Sequence, residues 1–144
     1  YKVSLIEENI RRHQVTNMTA EQWDARVSDK GSIGKADVVI ADLPCSGLGV
    51  LRKKPDIKYR MQPEDIKSLI ALQREILSTV HQYVKPGGRM IYSPCTIDAG
   101  ENEENVAWFT ANHKEFEVES MEQILPDELG SDGFFIARLR KQNV

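Results

Sequence analysis

Residues 36–42 read Ala36-Asp37-Val38-Val39-Ile40-Ala41-Asp42, an apolar run rich in β-branched side chains that stops abruptly at a carboxylate. Such a run predicts a strand buried on both faces of a parallel sheet and ending at Asp42. Downstream, Pro63 with Glu64 and Asp65 is a helix start, because proline suits the first helical position and acids suit the first turn. Ile66, Leu69, Ile70, Ile76, Leu77, Val80 and Val84 keep the helical period until Lys85-Pro86-Gly87-Gly88, which reads as the stop and as the connection to a second buried strand, Arg89–Ser93. An acidic turn at Glu101 to Glu104 then opens a helix through Val106, Trp108 and Phe109. Phe116-Glu117-Val118-Glu119 alternates, and residues 134–139 form a last strand. Upstream, residues 1–13 have helical spacing at Val3, Ile6 and Ile10, and a weak strand precedes Asp24. Strand, helix, strand, helix, strand, strand is an α/β order: crossover helices impose a parallel centre, and the closing pair forms an antiparallel edge.

The composition fits a globular domain. The chain has 144 residues, 40% of them hydrophobic and 28% charged, with 9 Gly and 6 Pro, which excludes collagen, coiled coil and disordered tail. Two cysteines are too few for a disulfide-stapled secreted fold, no run approaches the roughly 20 apolar residues of a membrane span, and no signal peptide is visible. The chain therefore reads as soluble and cytoplasmic. It begins with Tyr1 inside helical spacing and without an N-cap residue, so it reads as starting within an element. A net charge of −3 argues against a uniformly basic nucleic-acid binder, yet residues 52–60 hold five positive charges against one negative. That segment reads either as a solvated loop or, with Tyr59 among its charges, as a local RNA contact.

Ligands of open α/β sheets bind outside the carboxyl ends of the strands. Both cysteines lie there: Cys45 in Asp42-Leu43-Pro44-Cys45-Ser46-Gly47-Leu48-Gly49, and Cys95 in Tyr92-Ser93-Pro94-Cys95-Thr96-Ile97. A single free cysteine is ordinarily a small buried hydrophobe. Two cysteines in matched positions after a proline point instead to shared chemistry, with a thiolate as nucleophile and a second thiol or Asp42 to move protons. A zinc site lacks ligands, because His13, His81 and His113 are scattered and no Cys-x-x-Cys occurs. Gly47-x-Gly49 reads as a turn rather than a dinucleotide fingerprint, and Trp23 and Trp108 as core or helix-face aromatics.

These segments, with Arg52 to Arg60, Glu101-Asn102-Glu103 and Asp132-Gly133-Phe134-Phe135-Ile136-Ala137-Arg138-Leu139, resemble the RNA cytosine-5 methyltransferases of the Sun/NOL1/NOP2 class. The likeness is greatest to the bacterial enzymes of that class that act on small-subunit ribosomal RNA, and it runs over residues 1–141 in the expected order. The resemblance implies a Rossmann-like class I methyltransferase sheet, mostly parallel with an antiparallel C-terminal pair and missing its first strands. Residues 1–144 would then be the C-terminal portion of a single catalytic domain. It further implies transfer of methyl from S-adenosylmethionine to carbon 5 of a cytosine in ribosomal RNA. In this class Cys95 is the nucleophile, Cys45 helps release the product, and Asp42 contacts the cytosine ring. Asp24, Asp42 and Pro44 lie near the methyl donor.

Arg52, Lys53, Lys54 and Lys58 are then the expected phosphate clamp on the RNA backbone. Two departures from the family pattern stand out: Pro94 replaces the Thr that precedes the nucleophile, and Leu43 replaces a common Ala. The family's glycine-rich donor segment, an acidic strand end and a pocket lysine are expected before residue 1, so the donor site is expected to be incomplete in this chain and the chain inactive alone. A sheet edge and face left open in this way would favour self-association. A non-catalytic RNA-binding domain and a cysteine-based redox module are the competing readings.

Overall fold

The computed structural model describes residues 1–143, and the site is positioned by four strands with helices packed on one of their faces. The elements are α1 (Lys2–Arg12), β1 (Ala36–Ala41), α2 (Ile57–Arg60), α3 (Pro63–Val80), β2 (Val84–Tyr92), α4 (Glu103–Asn112), β3 (Phe116–Ile124) and β4 (Phe134–Lys141). Short 3₁₀ turns lie at Lys30–Ser32 and His81–Tyr83. The sheet order is β1-β2-β4-β3. β1 and β2 run parallel across the α3 crossover, whereas β4 is antiparallel to both β2 and β3, which is the closing pair expected from the sequence.

Helix α3 begins at Pro63 as its sequence predicts, and the Gln62 amide donates to Asp65 Oδ2 at 2.9 Å, which satisfies an N–H that the helix itself leaves open. Its Ile76 and Leu77 pack with Val106 and Phe109 of α4 against Val84, Met90 and Tyr92 of β2 and Phe135, Ala137 and Leu139 of β4. Every second residue of β4 is buried, so the period of two is that of a sheet covered on one side. Fully burying an aliphatic or aromatic side chain of this kind contributes roughly 1.5–3 kcal/mol.

Several local expectations are corrected. β1 is not buried on both faces: Val38 and Ile40 are 53% and 71% exposed, because no helix covers that side of the sheet. The segment before Asp24 forms no strand. Trp23 is 55% exposed, not core, with its indole N–H donating to the Val27 carbonyl at 2.7 Å. Helix α3 stops at Val80, ahead of Lys85-Pro86-Gly87-Gly88, and those four residues fall inside β2. Ala36 pairs with Val84 but Val38 pairs with Arg89, so residues 85–88 bulge opposite Asp37. A bulge accommodates Pro86, which cannot donate to the ladder, and Gly87, whose φ is +78°. The basic segment is not all loop, since α2 occupies its second half. Among the described residues, no helix is long and apolar enough to cross a membrane.

Candidate active site

The exits of β1 and β2 lie side by side, because the strands are parallel neighbours and Ala41 pairs with Tyr92. Cys45 and Cys95 consequently meet, with their Sγ atoms 3.1 Å apart and both side chains partly buried. Burial, reinforced by the hydrogen bond with Cys95, pushes the Cys45 thiol up to about 12. Cys45 therefore stays protonated at neutral pH and can donate its S–H to the Cys95 sulfur. Asp42 is exposed at the same rim, and among the described residues no side-chain hydrogen bond or ion pair engages it.

The two thiol loops are locked together by main-chain bonds. Gly49 N–H donates to the Cys95 carbonyl at 3.1 Å, Gly133 N–H donates to the Gly49 carbonyl at 2.7 Å, and Phe135 N–H donates to the Pro94 carbonyl at 3.2 Å. A Cβ on Gly49 would sit 2.1 Å from the Gly133 carbonyl oxygen and 2.9 Å from that of Cys95. Only glycine allows this approach. Gly47, at φ +74°, makes the turn read from the sequence.

Beneath the loops lies a polar layer that the sequence reading missed. Glu101, Asn102 and Asn105 are fully buried, and so is Gln73 of α3. The sequence places Glu101 in the acidic turn that opens α4, but α4 begins only at Glu103, and Glu101 turns inward to Ser46 and Thr96. The available signal was its spacing of four from Asn105 and eight from Phe109, the buried face of α4; charge alone pointed to the surface.

Asp24, Asp42 and Pro44 line one cleft with Trp23, Ala25 and Leu43. Arg26 occupies both oxygens of Asp24, through Nε at 3.0 Å and NH2 at 2.7 Å, and its hydrogen bonds hold the carboxyl down at about 2. The basic segment is partly answered by acids of the 125–133 turn: Arg52 pairs with Asp127 and Lys53 with Asp132, each at 2.7 Å. Exposed pairs of this kind contribute only about 0–1 kcal/mol and exchange readily. Among the described residues Lys54 and Lys58 form no ion pair, and Lys58 lies 5.0 Å from the Tyr59 ring centroid.

Two of the three histidines, His81 and His113, are not scattered in space, contrary to the sequence reading, whereas His13 lies apart at the end of α1. His81 and His113 pack with ring centroids 4.1 Å apart and planes tilted by 45°, and Glu115 lies 3.8 Å from His81 Nδ1. This cluster sits where β2 begins, whereas the thiols lie where it ends, so it supplies no base to them. Phe109 and Phe116 pack around His81. Burial, then His113, push His81 down to about 4, and the Lys141 ammonium acts in the same direction.

A mixed sheet with a parallel pair joined by a crossover helix, an antiparallel C-terminal pair and a site at the strand exits matches part of the Rossmann-like methyltransferase architecture. The chain belongs to the family described as 16S rRNA methyltransferase RsmB/F, whose match spans residues 1–140. It is 39% identical to a probable ribosomal RNA small subunit methyltransferase B of Bacillus subtilis, over 99% of this chain and 36% of that protein. It is 32% identical to a ribosomal RNA small subunit methyltransferase F of Cronobacter sakazakii, over 97% of this chain and 33% of that protein. Among solved structures, PH0851 superposes with a TM-score of 0.91 at 30% identity, over 96% of this chain and 34% of that one. NSun6 from Pyrococcus horikoshii with SFG superposes with a TM-score of 0.75 at 28% identity, over 94% of this chain and 38% of that one. The chain thus spans about a third of the length of the relatives it matches.

Proposed function

We propose that this chain is the C-terminal portion of a cytoplasmic enzyme's catalytic domain, one that transfers methyl from S-adenosylmethionine to carbon 5 of a cytosine in ribosomal RNA. The thiol pair, 3.1 Å apart at the exits of two parallel neighbouring strands, carries the reading. Kinship with proteins named as small-subunit ribosomal RNA methyltransferases supports the substrate class.

Carbon 5 of cytosine is a weak nucleophile, so the ring must first be activated covalently. The Cys95 thiolate adds to carbon 6, and the displaced π electrons make carbon 5 an enamine carbon able to take a methyl group. Asp42, free at the rim, favours the ring protonated at nitrogen 3, which accepts this addition. After transfer a base removes the proton from carbon 5, the Cys95–carbon 6 bond breaks, and its electron pair returns to sulfur. Cys45, held as a thiol by burial, donates its S–H to the departing sulfur and so assists product release.

S-adenosylmethionine, when bound, supplies an electrophilic methyl on a cationic sulfur. The cleft of Trp23, Asp24, Ala25, Asp42, Leu43 and Pro44 fits such a group chemically, since it combines two carboxyls with an aromatic and apolar wall. Within it, Asp42 and Pro44 are the residues next to the thiol loop, and Asp24 presents its carboxyl jointly with Arg26. The target base must leave its stack to reach Cys95, at the cost of a few kcal/mol that is least in single-stranded RNA. Arg52, Lys53, Lys54 and Lys58 hold the phosphates beside it.

The test is covalent trapping. The full-length protein, given the methyl donor and RNA containing 5-fluorocytosine, forms an adduct that Cys95→Ala abolishes and Cys45→Ala retains. An adduct undiminished in Cys95→Ala overturns the assignment. The RNA contact is tested separately: Lys53→Glu with Lys54→Glu weakens binding and flattens its dependence on salt.

A further inference from the structure

We infer that Glu101 is the positioning residue of the thiol pair, a role that rests on reading Cys95 and Cys45 as the reacting groups. Glu101 is completely buried, and four donors converge on it. Its Oε1 accepts from the Ser46 amide at 2.8 Å and from Gln73 Nε2 at 3.1 Å; its Oε2 accepts from Ser46 Oγ and Thr96 Oγ1, each at 2.7 Å. Ser46 directly follows Cys45, and Thr96 directly follows Cys95. One side chain therefore grips the residue next to each thiol, and it does so from below, on the side away from the substrate rim.

The grip is itself held in place. Tyr92 donates its hydroxyl to the Glu101 carbonyl at 2.5 Å, and the Glu101 amide donates to Asp98 Oδ2 at 3.0 Å. Gln73, oriented by Asn105 at 2.8 Å, spends its second amide proton on the Pro44 carbonyl at 2.9 Å, so the backbone is pinned on both sides of Cys45. Asn102 does the same beyond Cys95, donating to the Thr96 carbonyl at 2.9 Å. Among the described residues Glu101 forms no ion pair, and its four hydrogen bonds use the acceptor capacity of a carboxylate. A buried acid without a cation is a poor device for stability alone, because apolar packing of similar volume would serve at least as well. Its particular contribution is geometric: it fixes the separation of two sulfurs carried by two different loops.

That geometry can be read without RNA or methyl donor. In the full-length protein, diamide oxidises neighbouring thiols: two S–H bonds are lost, one S–S bond forms, and the azo compound takes up both electrons and both protons. The rate of the Cys45–Cys95 disulfide, followed by peptide mass mapping, therefore reports how the two sulfurs are held. Glu101→Ala is expected to slow it at least ~10-fold, Glu101→Gln less, and both are expected to lower kcat toward ~100-fold with the KM for RNA little changed, as a displacement of about 1 Å would. A folded Glu101→Ala protein with the wild-type disulfide rate overturns the proposal. If Glu101→Ala does not fold, the double variant Ser46→Ala, Thr96→Ala removes the same two hydroxyl contacts and decides the matter by the same rate. Absence of a 5-fluorocytosine adduct in the wild type would sink the cytosine chemistry while leaving the disulfide comparison intact.

Discussion

The carboxyl ends of β1 and β2 and the outer face of the same sheet invert the usual distribution of polarity. Beneath the strand ends Gln73, Glu101, Asn102 and Asn105 are fully buried; the first three hydrogen-bond to the two cysteine loops, and Asn105 braces Gln73 and Glu101. On the outer face Val38 and Ile40 of β1 are 53% and 71% exposed, and α1 buries none of its residues. Burying amides and a carboxylate is worthwhile only where position must be fixed, since each such group must find partners or lose about 1–3 kcal/mol. Leaving an apolar side chain in water forgoes a comparable amount, roughly 1.5–3 kcal/mol, and leaves a surface able to associate. The contrast separates the part of the chain organised for chemistry from a part whose burial is left undone.

The strongest way to break this contrast is to remove its reactive end. Cys95→Ala is expected to reduce methyl transfer by the full-length protein to background in a tritiated-methyl assay, whereas Cys45→Ala should accumulate the RNA adduct, visible as a band resistant to denaturing gel electrophoresis. Next in size is Gly49→Ala. Its Cβ cannot fit 2.1 Å from the Gly133 oxygen, so the loops must part, with a loss of up to ~3 kcal/mol in denaturant unfolding and slower thiol pairing.

His81 predicts a smaller effect. Its folded-state value, about 4, lies below the ordinary 6.5, so the unfolded chain binds the proton more readily. Stability is full above pH 6.5 and falls as the pH drops toward 4, by on the order of 2 kcal/mol. His81→Phe should flatten that dependence in pH-resolved thermal melts. The smallest change in stability, within ~0.5 kcal/mol, is expected for Ile40→Lys on the bare face. If that face drives the self-association we expect of this chain, the same variant shifts light scattering toward monomer; a wild-type chain that is monomeric at high concentration would remove the face from consideration.

Legibility followed physical range. Helix α3 was readable because its period, its Pro63 and its acidic first turn are local signals, and β4 because alternation is local too. The Lys85–Gly88 segment was misread because Pro-Gly-Gly breaks most regular structure, and only a neighbouring strand turns it into a bulge. Val38 and Ile40 looked doubly buried because β-branched runs usually are; exposure depends on what packs above them. Glu101 looked like a surface acid for the same kind of reason, since its four donors come from residues 28 to 55 positions away and from Thr96.

The sequence by itself determined the order of elements, the placement of both cysteines at strand exits and the family likeness, all of which rest on short-range pattern and residue chemistry. Tertiary structure alone decided that two thiols 50 positions apart stand at 3.1 Å, that burial raises the Cys45 thiol, that His81 and His113 cluster away from them, and that a buried glutamate joins their loops. Distances between chain segments, and the desolvation that shifts a thiol, exist only once the strands have paired.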